Sequence, residues 1–288
     1  MKKVAKVLGL VLAASMVTAA AVACNQGDEL QIGKEFVAAS SQLDALTKLD
    51  KGEADVAVID SVMAGYYTAT GDYADKMQMV DGLVLAEESY GIAAKKGNQA
   101  FMSKINEALI ALRTTEYATI TEEYNLTASA ALTESTTNPY ADATDNSWEE
   151  VKSSGTIVIG YTVFAPIAYE EAGALTGYDI ELARAVVAYL NTTYTLNLEV
   201  DFLLIDWNTK EAKLEDGTID LVWNGMTITP DREEGMCISV PYLYNKQVAV
   251  ILKTDASKYT SKDSMKDAIM TAESGSAGET VIVGEQEE

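Results

Sequence analysis

The chain of 288 residues predicts an α/β protein built from two lobes of like topology, and three observations carry that prediction. The pattern K-L-x-x-G-x-x-D occurs twice, from Lys48 to Asp55 and from Lys213 to Asp220. Each copy joins a helical pattern to a short apolar strand. Counting on from each lysine, Asp60 falls opposite Gly225, so a carboxylate and a polar glycine turn end equivalent strands. Strand ends that face each other across a cleft are where such folds bind ligands. Composition fits as well: 48% hydrophobic and 23% charged residues describe a globular chain long enough for two lobes with cores of their own. Helix-turn-strand units also recur by chance in α/β proteins, so the repeat alone leaves that reading open.

Taken in order, the elements follow from local chemistry. Lys2, Lys3 and Lys6 precede an apolar run closed by Ala21-Val22-Ala23-Cys24, the form of a secretory signal peptide and too alanine-rich for a membrane span. Leu43, Leu46 and Leu49 share a helical face that Gly52 stops, and residues 55–60 form a buried strand. A helix over 62–68, a strand over 83–94, an amphipathic helix over 99–112 and a further helix to Tyr124 follow. Residues 127–146 are rich in Thr, Ser, Ala, Asn and Asp without periodicity, which reads as a linker. Beyond Trp148 the pattern restarts with a strand over 156–161, a loop tipped by Phe164, a helix over 180–190 and a strand over 198–204. Asp206-Trp207 opens the helix before the second repeat, and residues 247–253 form a β-branched strand. Ser276 and Glu279 are spaced as a capping box.

The stretch from Trp223 to Arg232 is the most informative. A buried strand over 219–223 runs into a glycine turn, Thr229 suits an N-cap and Pro230 the first helical position. Arg232 then lies in the first turn, where the helix dipole is already positive, so it either joins backbone N–H groups in an anion site or pairs on the surface with Glu233 or Asp231. The formal charge of −23 repels nucleic acid and anionic lipid. Histidine is absent from the sequence, and no metal-ligand, nucleophile-elbow or phosphate-loop pattern occurs, so no cofactor or metal is expected. Cys237 sits in an apolar run as a small buried hydrophobe, without a disulfide to Cys24.

The stretches GYTVFAP, GYDIELARAVVAYL, LEDGTIDLVWNGMTITPDR, SVPY and SGSAGE resemble the first half of a bacterial extracellular amino-acid solute-binding protein of family 3. Residues 36–126 resemble the second half, through KLDKGEADVAVID, EESYGIAAKKGN and the helices up to Tyr124. The two halves stand in reversed order, as in a circular permutation. The resemblance implies an α/β, two-lobed type II periplasmic-binding-protein fold, each lobe a mainly parallel sheet flanked by helices. It divides the chain into a signal peptide (1–23), the second half of lobe 2 (24–91), the closing helices of lobe 1 (92–126), a linker (127–145), lobe 1 (146–245) and the first half of lobe 2 (246–288). A coil of that length reaches ~25 Å, enough to join neighbouring ends.

The resemblance also implies roles. Arg232 would grip a ligand carboxylate, with Thr227 and the N–H groups near Ser276 and Ala277; Asp60 and the Gly225 carbonyl would take the ammonium. Phe164, Trp207, Tyr161 and Asn224 would line the side-chain pocket. Trp223 is expected in the core. Cys24 would be lipidated, although the family pattern prefers leucine where Ala21 stands, and plain cleavage after Ala23 is the alternative. The implied protein is a monomeric, non-enzymatic lipoprotein outside the cytoplasmic membrane that hands a polar L-amino acid to an ABC permease. A dehydratase-like enzyme on the same scaffold and a sensor domain are the alternatives.

Overall fold

Local signals place most of the elements in the computed structural model, which describes residues 30–69 and 73–284. The signal segment and Cys24 lie outside the described residues. Strand β1 (Glu35–Ala39) leads to Ser41, whose hydroxyl accepts the Asp44 N–H and starts helix α1 (Gln42–Lys51). Gly52 ends that helix at φ 72°, returning its N–H to the carbonyls of Leu49 and Lys48, a backbone geometry that a side chain would strain. Strand β2 (Val56–Asp60) is buried along its whole length, and helix α2 (Ser61–Ala69) follows directly. Strand β3 (Met77–Lys95) is longer than the sequence pattern suggests. Exposed Asp81 and Gly82 break its alternation, while register shifts in the pairing absorb the irregularity.

Helices α3 (Gln99–Leu112), α4 (Glu116–Glu123) and α5 (Ser147–Ser154) come next, then β4 (Thr156–Tyr161) and the hairpin of β5 (Tyr169–Glu171) with β6 (Ala174–Thr176). After them run α6 (Tyr178–Tyr194), β7 (Glu199–Leu204), α7 (Lys210–Glu215), β8 (Leu221–Thr227), α8 (Pro230–Gly235) and β9 (Met236–Ile238). Strands β10 (Leu243–Leu252) and β11 (Ile269–Glu273) and helix α9 (Ala277–Val283) close the described chain.

The strands join in the order β1-β11-β2-β10-β3-β8-β4-β7, with β9 also on β3. Pairing is parallel at both ends of this path and antiparallel in its middle. Two separate sheets were expected, one for each lobe; hydrogen bonding instead runs through as one sheet. Strand β3 is the reason, because its first part pairs with β10 as far as Tyr90 and its last part with β8 from Tyr90 to Ala94. Nor are the cores separate: one apolar cluster takes in Leu46 and Ile59 from the β2 side together with Leu182 and Trp223 from the β4 side. Smaller clusters around Met270 and Met226 belong to the β2 and β4 sides respectively. Helices cover the sheet, as an α/β architecture requires.

Strand β11, helix α9 and strand β1 would form a parallel crossover unit if α9 ran on into β1, since β1 and β11 are parallel neighbours. The Gln31 N–H donates to the Ile282 carbonyl at 2.8 Å, so the first and last described segments touch there. The polar segment 127–146 is not a loose tether. The Ala131 N–H donates to the Tyr242 carbonyl at 3.3 Å, Asn138 Nδ2 to the Ser103 carbonyl at 2.9 Å, and Asp145 accepts the Ala100 N–H at the start of α3 at 2.7 Å.

Cutting the chain near exposed Glu134 with a glutamate-specific protease should leave the two pieces bound and comigrating on a sizing column, because they share the central strands and the core. Separation of the pieces under native conditions would contradict this packing.

Candidate functional site

Both sides of the sheet contribute walls to one cavity. From the β4 side come Phe164, Trp207, Asn224, Gly225, Thr227 and Arg232, and from the β2 side Asp60, Ser276 and Ala277. These are the predicted pocket residues apart from Tyr161. That tyrosine is not on the cavity wall; it packs beside Ala168 and Ile180 and meets Phe202 edge-on. Trp223 lies in the core as expected, 1% exposed.

Thr229 caps α8 through its hydroxyl, which accepts the Arg232 N–H at 3.3 Å. The Arg232 guanidinium turns inward, donating to the Thr227 carbonyl at 2.8 Å and to the Gly275 carbonyl at 3.0 Å. Neither Asp231 nor Glu233 pairs with it, which decides against the surface ion pair. Burial lowers its pKa. Asp60 ends β2 at 4% exposure, surrounded by amides: Gln42 and Asn245 donate to its carboxylate, as does Gln247 at 2.7 Å. Asn245 and Gln247 also donate to Glu88, so two carboxylates share the same donors. Burial first, then the charge of Glu88, raises the Asp60 pKa well above the usual carboxylate range. Among the described residues neither Arg232 nor Asp60 has an ion-pair partner of opposite charge.

Residues 157–274 match the bacterial extracellular solute-binding proteins, family 3. Over 122 residues the chain is 30% identical to the Bacillus subtilis protein YckB, described as a probable ABC transporter extracellular-binding protein; the match covers 41% of this chain and 40% of YckB. It is 26% identical over 119 residues to the L-cystine-binding protein TcyJ of Escherichia coli strain K12, covering 41% of this chain and 42% of TcyJ. A solved ABC uptake transporter substrate binding protein from Streptococcus pneumoniae with bound histidine shares 36% identity over 32% of this chain and 35% of its own, at a TM-score of 0.27. The chain thus spans about two fifths of the length of the curated relatives it matches.

Within the solute-binding match, Gly225 is held by a residue that sequence reasoning did not single out. Asp179, 1% exposed in α6, accepts the Gly225 N–H at 2.7 Å and the Tyr242 hydroxyl at 2.8 Å. Gly225 has φ 61°, and a Cβ there would sit 2.8 Å from the Phe164 ring, so only glycine lets the strand end lie against that aromatic. Asn224 and Thr162 hydrogen-bond at 2.8 Å beside it.

Gln42, Gln247 and Glu273 also line the cavity and were missed. A signal for one of them existed, since Asn245 and Gln247 are polar at alternate positions of β10 and both face inward. Nothing local marks Gln42, whose side-chain Oε1 accepts the Asp60 N–H at 2.9 Å. Lys210, 3% exposed, donates to the Gly275 carbonyl at 3.2 Å, so two cations of the β4 side meet one carbonyl of the β2 side. Burial lowers the Lys210 pKa.

Burial pushes the Asp179 carboxyl up to about 7 and the Glu273 carboxyl up to about 8. Between the ordinary carboxylate range and these values the folded state binds more protons than the unfolded state, so stability should fall as pH rises from about 4 to about 8. The urea midpoint should therefore be lower at pH 8 than at pH 5, and Asp179→Asn should shrink that drop. An unchanged drop would show that Asp179 is ionised throughout. Gly225→Ala should destabilise the fold by about 1–3 kcal/mol in the same assay through the clash with Phe164 and the strained φ.

Proposed function

We propose that the protein is an extracytoplasmic amino-acid receptor of an ABC importer, with the two halves of its fold circularly permuted. One observation carries this reading. A cation from the β4 side and a carboxylate from the β2 side line the same enclosed cavity, and each is satisfied there only by neutral dipoles. A zwitterion supplies the missing charge to both: its carboxylate meets Arg232, with the Thr227 hydroxyl and the backbone near Ser276 and Ala277 beside it, and its ammonium meets Asp60. Because the two partners stand on opposite sides of the cleft, ligand binds the closed arrangement better than an open one and stabilises it.

The family match over residues 157–274 supports the binding role, and the family is one of solute-binding proteins. The permutation is supported by the meeting of Gln31 with Ile282 and by the placing of α9 between parallel β11 and β1. It accounts for the reversed order of the two sequence halves. With the signal segment ahead of it, the receptor is exported and held at the outer face of the membrane through Cys24, where it acts as a monomer and delivers its ligand to the permease.

Arg232→Ala should weaken binding of the preferred amino acid more than a hundredfold, since removing one partner of a buried charge pair costs ~3–5 kcal/mol. Titration calorimetry checks this, and an unchanged affinity would sink the carboxylate assignment. Asp60→Asn should weaken binding strongly while leaving the melting temperature of the empty protein unchanged or higher, because the buried charge is removed. Ligand should be recovered chemically unchanged from the wild-type complex; conversion would favour an enzyme on this scaffold.

A further inference from the structure

The carboxyl group of Glu273 has no task in the clamp just described. It stands at the end of β11, 5% exposed, on the cavity wall, and its Oε1 has no hydrogen-bond partner. Lys210 is the cation that acts on it, but the ammonium is already engaged with the carbonyls of Gly275 and Trp207 and, at 3.0 Å, with Glu211. Gln247 presents a second such atom. Its amide nitrogen is used on Asp60 and Glu88, while its Oε1, in a residue 2% exposed on the same wall, also lacks a donor. Buried acceptors without donors are costly, and a ligand in the cavity is placed to supply the donors.

We propose that the ligand is a neutral amino acid whose side chain ends in a hydrogen-bond donor, a carboxamide above all, and that Glu273 is the residue that reads it. The inference rests on the amino-acid reading given above. Other classes of side chain meet an obstacle in the cavity. An apolar side chain would leave both acceptors buried without donors, and so would an anionic one, whose carboxylate only accepts. A cationic one would enter beside Arg232 and Lys210. Burial, the largest influence, pushes the Glu273 carboxyl up to about 8. At neutral pH it is therefore mostly the neutral acid, which both donates and accepts and so matches the two functions of a carboxamide.

Calorimetric titration of the purified chain with glutamine, asparagine, leucine and lysine tests the proposal. Glutamine or asparagine should bind at least about tenfold more tightly than leucine or lysine, because a site built around hydrogen bonds rejects analogues that lack them. In Glu273→Leu that preference should collapse to within about threefold, whereas Glu273→Gln, which keeps an acceptor in place, should retain it. Leucine or lysine binding as tightly as the amides in the unaltered protein would overturn the side-chain assignment and leave the receptor reading standing. So would a preference that survives in a folded Glu273→Leu protein. If Glu273→Leu does not fold, by circular dichroism, the unaltered protein and Glu273→Gln decide. Absence of binding by a broad set of amino acids would overturn the receptor reading itself.

Discussion

Two opposite charges held in one cavity and kept from each other are the constraint on which this molecule turns. Arg232 is tied to carbonyl oxygens and Asp60 to amide nitrogens, and among the described residues neither has an ion-pair partner of opposite charge. Neutral dipoles satisfy geometry without cancelling charge, so the field between the two groups is left for a ligand. A direct salt bridge would have closed the site, and burying either charge with no hydrogen bonds would have cost several kcal/mol. The raised pKa of Asp60 reflects the same arrangement, since burial and the neighbouring Glu88 both oppose ionisation until a cation arrives.

The central strands make this arrangement possible. Strands β3 and β10 run between the two sides of the sheet, and the inward residues Asn245 and Gln247 of β10 reach both Asp60 and Glu88. Thr227 on β8 donates to Glu88 at 3.0 Å, linking the β4 side into the same network. The floor of the cleft is therefore built from the elements that join its walls. Lys210 and Arg232 close the other face by meeting at the Gly275 carbonyl. A shift of one side against the other would change both sets of contacts together, so in the proposed receptor a ligand held by both walls would influence closure.

Much of this was legible in the sequence wherever the chemistry is local. Gly52 and Gly217, the glycines of the repeated K-L-x-x-G-x-x-D pattern, both adopt positive φ at helix ends, and the strands after them carry Asp60, at the end of β2, and Gly225, within β8 rather than in a turn after it, onto the same cavity. Thr229 and Ser276 cap their helices as their spacing suggests. Phe164 and Trp207, which the family resemblance assigns to the pocket, stand on the cavity wall. Tyr161 was misplaced because strand residues alternate in facing, and its ring turns toward Phe202 and the core instead. Gln42, Glu273 and Asp179 were invisible because each is one polar residue in an ordinary helix or strand, and its meaning comes from partners brought near only by folding. The single sheet was hidden for a similar reason, since nothing within β3 announces that its pairing passes from β10 to β8 at Tyr90.

The most direct measurement compares one tightly bound amino acid with its N-acetyl and its α-carboxamide derivatives by calorimetry on the same protein. Each derivative keeps the side chain and removes one charge of the zwitterion. If Arg232 and Asp60 form a clamp for the two charges, both derivatives should lose at least about a hundredfold in affinity. Either derivative binding as tightly as the parent amino acid would show that its missing charge is not read, and the two-sided clamp would not stand.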